Sequence, residues 1–276
     1  MTKNDVTGTF WDHLDELRTI LIKIALVALL FGIATFIFKE YIFEIVFAPK
    51  KDDFITYRLL EKIGGIFSEV SRDQFEISLI NTGLSQQFVI HMKTSFCFGI
   101  LFASPYILYQ IFRFVSPALY EDEKRYAVQL VGSGYVMFIL GVLIGYFLIF
   151  PLTFRFLGTY QVSQEVINLI SLDSYMSTLI LICLTMGIVF ELPVMSWLFA
   201  KMGFLESSFM KKYRKHSIVG ILLVAAVITP TSDVFTLLAV SFPMYLLYEV
   251  SIILVSFIEK KSKSVSYSIS PSGIGN

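Results

Sequence analysis

A succession of apolar stretches, most long enough to cross a bilayer, constrains this chain more than anything else in it. A spanning helix needs about 20 mostly apolar residues. Residues 20–38 form the first such run, broken only by Lys23. Residues 88–115 form the second, with His91 and Lys93 near its entrance and Arg113 near its exit. The third is 126–156, interrupted by Pro151 and Arg155, and the fourth is 175–199, carrying Glu191 and Pro193. The last stretch, 217–258, is divided by Thr229, Pro230, Thr231, Ser232 and Asp233. Pro230 disfavours helix at Thr229, and Ser232 or Asp233 can cap a new helix. Two spans, 217–228 and 234–258, are therefore preferred to one broken helix. The fifth is short. Its 12 apolar residues rise about 18 Å, against a hydrocarbon core of about 30 Å. A helix of that length needs local bilayer thinning or support from its neighbours. Mostly polar residues precede the first run, and no small-residue cleavage site follows its start. The run also exceeds the apolar core of a signal peptide, so an uncleaved span is expected.

Composition agrees. Charged residues make up 16% of the chain and hydrophobic residues 55%, whereas a soluble domain is about 25% charged. A soluble globular protein, a disordered chain and a basic nucleic-acid binder are thereby excluded. The expected fold is an all-α integral membrane protein with six transmembrane helices, a single polytopic domain over residues 1–276. Its annexes are a cytoplasmic amphipathic segment (1–19), a long extracytoplasmic segment (39–87) and a disordered cytoplasmic tail (262–276). Lys+Arg and Asp+Glu both number 22, so only the placement of charge is informative. Lys201, Lys211, Lys212, Arg214 and Lys215 cluster between spans four and five, and Lys260, Lys261 and Lys263 follow span six. Segments 157–172 and 229–233 hold no Lys or Arg. The positive-inside rule then puts both termini in the cytoplasm. Segment 39–87 carries six Lys/Arg and eight Asp/Glu and is long enough for that rule to weaken. Cys97 and Cys183 sit in apolar runs and read as small buried hydrophobes.

Four polar features invite a functional reading. In the N-terminal segment Phe10, Leu14, Leu17 and Leu21 recur at helical spacing, with Asp12, Asp15 and Glu16 on the opposite side. Solvated acids on an interfacial helix, with Asp15 pairing Arg18, are one reading; an acidic site for a cationic ligand is the other. The loop after span two carries Glu121, Asp122 and Glu123. Acids favour the start of the following helix, yet this cluster and Asp15/Glu16 are expected at the same membrane level. Two carboxylates held apart there can each accept a bidentate guanidinium, which would recognise consecutive arginines. Glu191 lies near mid-membrane, where a carboxyl costs about 2.5–3.5 kcal/mol on insertion scales. It is either a functional site or a neutral, hydrogen-bonded contact between helices. Asp233 reads locally as an N-cap, and Gly141-x-x-x-Gly145 as a close-packing pattern. No HExxH, GxSxG, P-loop or GxGxxG pattern occurs. His13, His91 and His216 fall at different levels, so no metal site and no cofactor are expected.

In their order and spacing these stretches resemble the TatC family, the multi-span core of the twin-arginine protein translocase. His13-Leu14-Asp15-Glu16-Leu17-Arg18 is similar to the family's H-L-x-E-L-R, and Ala48-Pro49 to its A-P after span one. Ser104 to Gln110, continuing through Phe114 and Pro117-Ala118-Leu119-Tyr120 to Glu123-Lys124-Arg125, is similar to its central signature. Phe190-Glu191-Leu192-Pro193 matches its F-E-x-P. Thr229-Pro230 through Asp233 resembles its T-P-x-D with one extra residue, and Pro243-Met244-Tyr245 with Tyr248-Glu249 its last-span pattern. The resemblance implies a curved, glove-like bundle with short fifth and sixth spans in a bacterial inner membrane. It implies a receptor, not an enzyme, that binds twin-arginine signal peptides of folded proteins at the cytoplasmic face. It also implies assembly, in several copies, with single-span partners of the TatA/TatB type for export driven by the proton-motive force. Carried over by motif, Glu16 and Glu123 are the carboxylates for the paired arginines. Arg18, Phe114 and Pro49 shape or support that region. Glu191 is the polar contact for a partner helix, and Asp233 lies near partner contacts at the outer turn. A proton- or ion-coupled small-molecule transporter using Glu191 is the competing function, although the inverted repeat common in transporters is not evident.

Overall fold

The computed structural model describes residues 10–63, 78–115, 127–160, 163, 168–229 and 233–269. Its helices are α1 (Phe10–Ile37), α2 (Lys39–Phe47), α3 (Ile55–Ile63), α4 (Gln86–Val115), α5 (Ala127–Ile144), α6 (Phe150–Thr159), α7 (Leu172–Val189), α8 (Leu192–Lys201), α9 (Ser207–Lys212), α10 (Arg214–Ile228) and α11 (Val234–Ile269). A 3₁₀ turn, Ala48–Lys50, follows α2, and a π-helical turn, Gly145–Ile149, joins α5 to α6. Among the described residues five stretches are long and apolar enough to cross a membrane: Trp11–Ile37, Gln86–Phe114, Leu130–Thr159, Leu172–Lys201 and Val234–Lys260. The sixth, α10, has 15 residues and rises about 22 Å, so the expected short fifth span is present. The last helix departs from the short span that the resemblance implies. Its apolar part alone has 27 residues, because Pro243 is carried inside the helix without ending it. The helix also continues through 262–269, where composition suggests disorder; 270–276 lie outside the described residues. The N-terminal segment, with its apolar face, leads without a break into the first span as α1.

The chain divides into two compact units, Met1–Val46 with Gly83–Tyr135 and Phe47–Thr82 with Val136–Asn276. In the first, α1 packs along α4. The two backbones come close enough that a Cβ on Gly99 would lie 2.7 Å from the Ala28 carbonyl oxygen and 2.8 Å from Gly32 Cα. The Thr35 hydroxyl, buried at this interface, lies 2.9 Å from the carbonyls of Gly32 and Ser95. At one end of the pair His91 stacks on Phe36 with ring centroids 3.9 Å apart. At the other end the first turns of α1 meet Gln110 and Arg113 of α4. The helices are therefore antiparallel. Leu21, Leu26, Leu29 and Leu30 point outward and are exposed. In water such a surface would drive aggregation; in lipid it is the expected exterior.

The second unit is built on two proline breaks. Pro151 lacks an N–H for the Phe147 carbonyl four residues earlier, and that freed carbonyl accepts the Thr56 hydroxyl of α3 instead. The mismatch is absorbed by the π-helical turn just before it, a usual site for such an insertion. Tyr57 is buried under this turn. Its hydroxyl is shared between the carbonyls of Pro49, 3.1 Å away, and Pro151, 3.2 Å away. The Arg155 guanidinium lies 4.9 Å over its ring. Burial raises the Tyr57 phenol above its ordinary pKa, so it remains a neutral donor. Leu79–Ile80 and Ile170–Ser171 pair as a two-stranded parallel ladder, Leu79 opposite Ile170. That ladder ties segment 39–87 to segment 157–172, the two long connections expected on one side of the membrane.

Candidate functional site

In the first unit, α1 and α4 enclose a recess of about 290 Å³, lined by Asp15, Glu16, Thr19, Ile20 and Lys23 from α1 and by Gln110 and Arg113 from α4. Helical spacing builds the α1 wall. Asp15, Thr19 and Lys23 repeat every four residues, and Glu16 and Ile20 form the adjacent row. Ile20 is buried and closes the floor. Gln110 is 4% exposed and donates from Nε2 to the Tyr106 hydroxyl at 2.6 Å, which fixes its side chain in the wall. The Thr19 hydroxyl donates to the Asp15 carbonyl at 2.9 Å. Among the described residues no ion pair joins Asp15 or Glu16 to Lys23 or Arg113, and the expected Asp15–Arg18 pair is not formed. Both carboxylates are exposed and open to a ligand.

The expected site residues are partly brought together. Glu16 lines the recess. Arg18 is exposed on α1 and does not line it, while Phe114 is half-buried on the last turn of α4, next to Arg113. Glu123, with residues 116–125, lies outside the described residues. The chain leaves α4 at the end where Asp15 and Glu16 sit, so the connection bearing Glu123 starts there. Pro49 is part of the second unit, buried, with its carbonyl accepting from Tyr57. Sequence reasoning missed Thr19, Lys23, Gln110 and Arg113. The every-fourth-residue row Asp15, Thr19, Lys23 was a usable signal, and so was the pairing of an amide with a cation three residues apart at the end of span two.

Glu191 sits where the fourth span breaks. α7 ends at Val189 and α8 begins at Leu192, because Pro193 cannot donate to the Val189 carbonyl. The Glu191 N–H turns back to Ile188 at 3.1 Å, and its carbonyl accepts from Met195 at 2.9 Å. Its Oε1 is buried and has no hydrogen-bond partner among the described residues. The Gly141–Gly145 pair packs against α7 just before the break. A Cβ on Gly141 would run into the Met186 carbonyl oxygen. Asp233 does cap a helix, accepting the Thr236 N–H on Oδ1 at 2.7 Å. Cys97 and Cys183 are buried and form no disulfide.

A recess lined by two acids and two bases at one end of two long apolar helices, with the Glu191 carboxyl inside another, belongs to an all-α, multi-span membrane protein that presents binding groups. Comparison with known proteins makes the class specific. The family model for TatC, Sec-independent protein translocase protein, matches residues 12–243. The chain is 35% identical over 257 residues to the Sec-independent protein translocase protein TatC of Blattabacterium sp. subsp. Periplaneta americana, covering 91% of this chain and 96% of that one. It is 33% identical over 256 residues to the protein of the same name from Aquifex aeolicus, covering 92% and 97%. A crystal structure of the twin-arginine translocase receptor TatC matches with a TM-score of 0.73 at 32% identity, covering 90% of this chain and 99% of that one. The chain belongs to the TatC family. It is a multi-pass membrane protein of that bacterial family, the receptor and core component of the twin-arginine translocase, and not an enzyme.

Proposed function

We propose that the recess between α1 and α4 is where the paired arginines of a signal peptide dock. Glu16 and Glu123 are the two carboxylates, and Asp15 adds negative potential. Arg18 and Phe114 flank the site and, with Pro49, shape or support the signal-binding region. The observation that carries this reading is a pair of exposed acids, Asp15 and Glu16, left without an ionic partner among the described residues in a recess walled by two spans. Both termini then face the cytoplasm, segment 39–87 faces the other side, and the membrane is the bacterial inner membrane. Folded substrates are exported with TatA/TatB-type single-span partners in a hetero-oligomer of several copies, driven by the proton-motive force. A guanidinium offers a planar fork to a carboxylate, where a lysine offers a point charge. Photo-crosslinkers at positions 16 and 123 should therefore capture an Arg-Arg signal peptide and lose most of that yield with Lys-Lys. Equal capture of both peptides would remove the proposed recognition.

Glu191 is the intramembrane contact for a single-span partner, and Asp233 a contact near the outer turn. The unpartnered buried Oε1 of Glu191 supports this, since a buried acceptor left unsatisfied costs about 1–3 kcal/mol and a partner's donor would recover it. Glu191→Gln should keep most of the co-purifying partner, because the amide retains hydrogen bonding, while Glu191→Leu should lose it. Equal recovery with both variants would count against the contact. Solute uptake by the purified chain alone in vesicles would instead favour the transporter reading.

A further inference from the structure

The recess and Glu191 leave a third charged feature unused, the short helix α9 and its flanks. The Ser207 N–H and hydroxyl both donate to the Glu259 carboxylate of α11, at 2.6 and 2.5 Å. The Tyr248 hydroxyl donates to the Met210 carbonyl at 2.8 Å. Met210 is buried against Ile252 and Val255. These contacts hold α9 on α11 and decide which face is outward. That face is aromatic and cationic. Phe209 is 56% exposed and packs on Tyr213, ring centroids 4.6 Å apart; Tyr213 meets His216 at 5.5 Å, and Phe204 is 75% exposed. Lys212 lies 5.8 Å over the Tyr213 ring. Lys211, Lys212 and Lys215 are all exposed.

The surrounding acids are already engaged. Glu249 pairs with Arg214 at 2.7 Å and accepts from Tyr245 at 3.0 Å. Glu206 accepts from Ser208 at 2.9 Å, and Glu259 holds Ser207. Among the described residues Lys211, Lys212 and Lys215 meet no carboxylate. The feature lies between the end of α8 and the start of α10, hence at a membrane–water boundary, where aromatic side chains settle at headgroup depth. We infer that this surface is a docking site for anionic phospholipid headgroups, with the three lysines taking the phosphates and Phe204, Phe209 and Tyr213 entering the acyl boundary. Charge selects the occupant: no carboxylate among the described residues neutralises the lysines, and each basic residue near an anionic leaflet is worth about five-fold in local lipid concentration. The location also gives the site a purpose. α10, the short span, begins immediately after it, and headgroups held here draw the bilayer surface toward a helix too short to reach a relaxed one.

The test uses the full chain with Phe209→Trp in a Trp11→Phe/Trp197→Phe background, reconstituted in phosphatidylcholine vesicles. Trp fluorescence is quenched by brominated phosphatidylglycerol or, separately, by brominated phosphatidylcholine at equal mole fraction. The anionic quencher should be enriched at position 209 by at least about ten-fold over the neutral one. Lys211→Gln/Lys212→Gln/Lys215→Gln should abolish that enrichment, and the corresponding triple Arg variant should keep it. Equal quenching by the two lipids in the lysine-bearing chain overturns the proposal and leaves the lysines to an acidic protein partner. An enrichment that survives in the Gln variant overturns it as well, by placing the source elsewhere.

Discussion

Glu16→Ala combined with Glu123→Ala is expected to abolish measurable binding of a twin-arginine signal peptide, a loss of roughly 2–5 kcal/mol for each charge pair that is desolvated in the complex. The magnitude follows from the recess. Ile20 is buried at its floor, the Gln110 amide is fixed in its wall, and the whole stands at the membrane boundary. A guanidinium bound there sheds part of its water and needs a carboxylate to replace it. Lys23 and Arg113 in the same recess sharpen the expectation. With both acids removed, the site carries two cations and Asp15 alone, and an incoming Arg-Arg pair meets net repulsion. The single variants should each lose less than the double, and Glu16→Gln should behave like Glu16→Ala because charge rather than size is what is lost. Titration of a labelled signal peptide into the purified protein measures this. If the double variant binds as the parent does, the arginines are held by other groups.

The helices were legible because their cause is local. Apolar runs of spanning length and the Pro193 break each act within a turn or two of chain, and both appear where the residues put them; α10 ends at Ile228 and α11 starts at Val234, on either side of the expected division. The Asp233 cap was legible for the same reason. The recess was half legible. Asp15 and Glu16 stand out as acids beside a span, but Gln110 and Arg113 reach them only through the antiparallel pairing of α1 with α4, which no local pattern announces. Pro49 was legible only as a motif; that its buried carbonyl accepts from Tyr57 depends on how α3 folds back on the 3₁₀ turn, which no local pattern announces. The length of α11 was missed because Pro243 and the Ser/Lys-rich end of the chain both argue against helix locally. Its anchoring contacts, Glu259 to Ser207 and Tyr248 to Met210, come from a segment some forty to fifty residues away.

The α1–α4 pairing carries the second large expectation. A side chain at Gly99 must displace backbone, since its Cβ would stand 2.7 Å from the Ala28 carbonyl oxygen and 2.8 Å from both Gly32 N and Cα. A flexible neighbour can rotate away, whereas two helix backbones can only separate. Gly99→Leu should therefore destabilise the protein by about 1–3 kcal/mol or more, the usual range for overpacking, and break the Thr35–Ser95 hydrogen bond at the same crossing. The effect on function should exceed the effect on stability. Gly99 stands 11 residues, about 16 Å, before Gln110 along α4, and Gly32 stands 16 residues, about 24 Å, beyond Glu16 along α1. A small change of angle at the crossing is thus a large one at the recess. Signal-peptide affinity should fall by an order of magnitude or more although every acid remains. Gly132→Ala provides the comparison, because a Cβ there meets nothing within 4 Å; it should leave both thermal stability and affinity as they were. Were Gly99→Leu to melt at the parent temperature and bind the peptide equally well, the close approach of α1 and α4 would not be what holds the acidic recess in register.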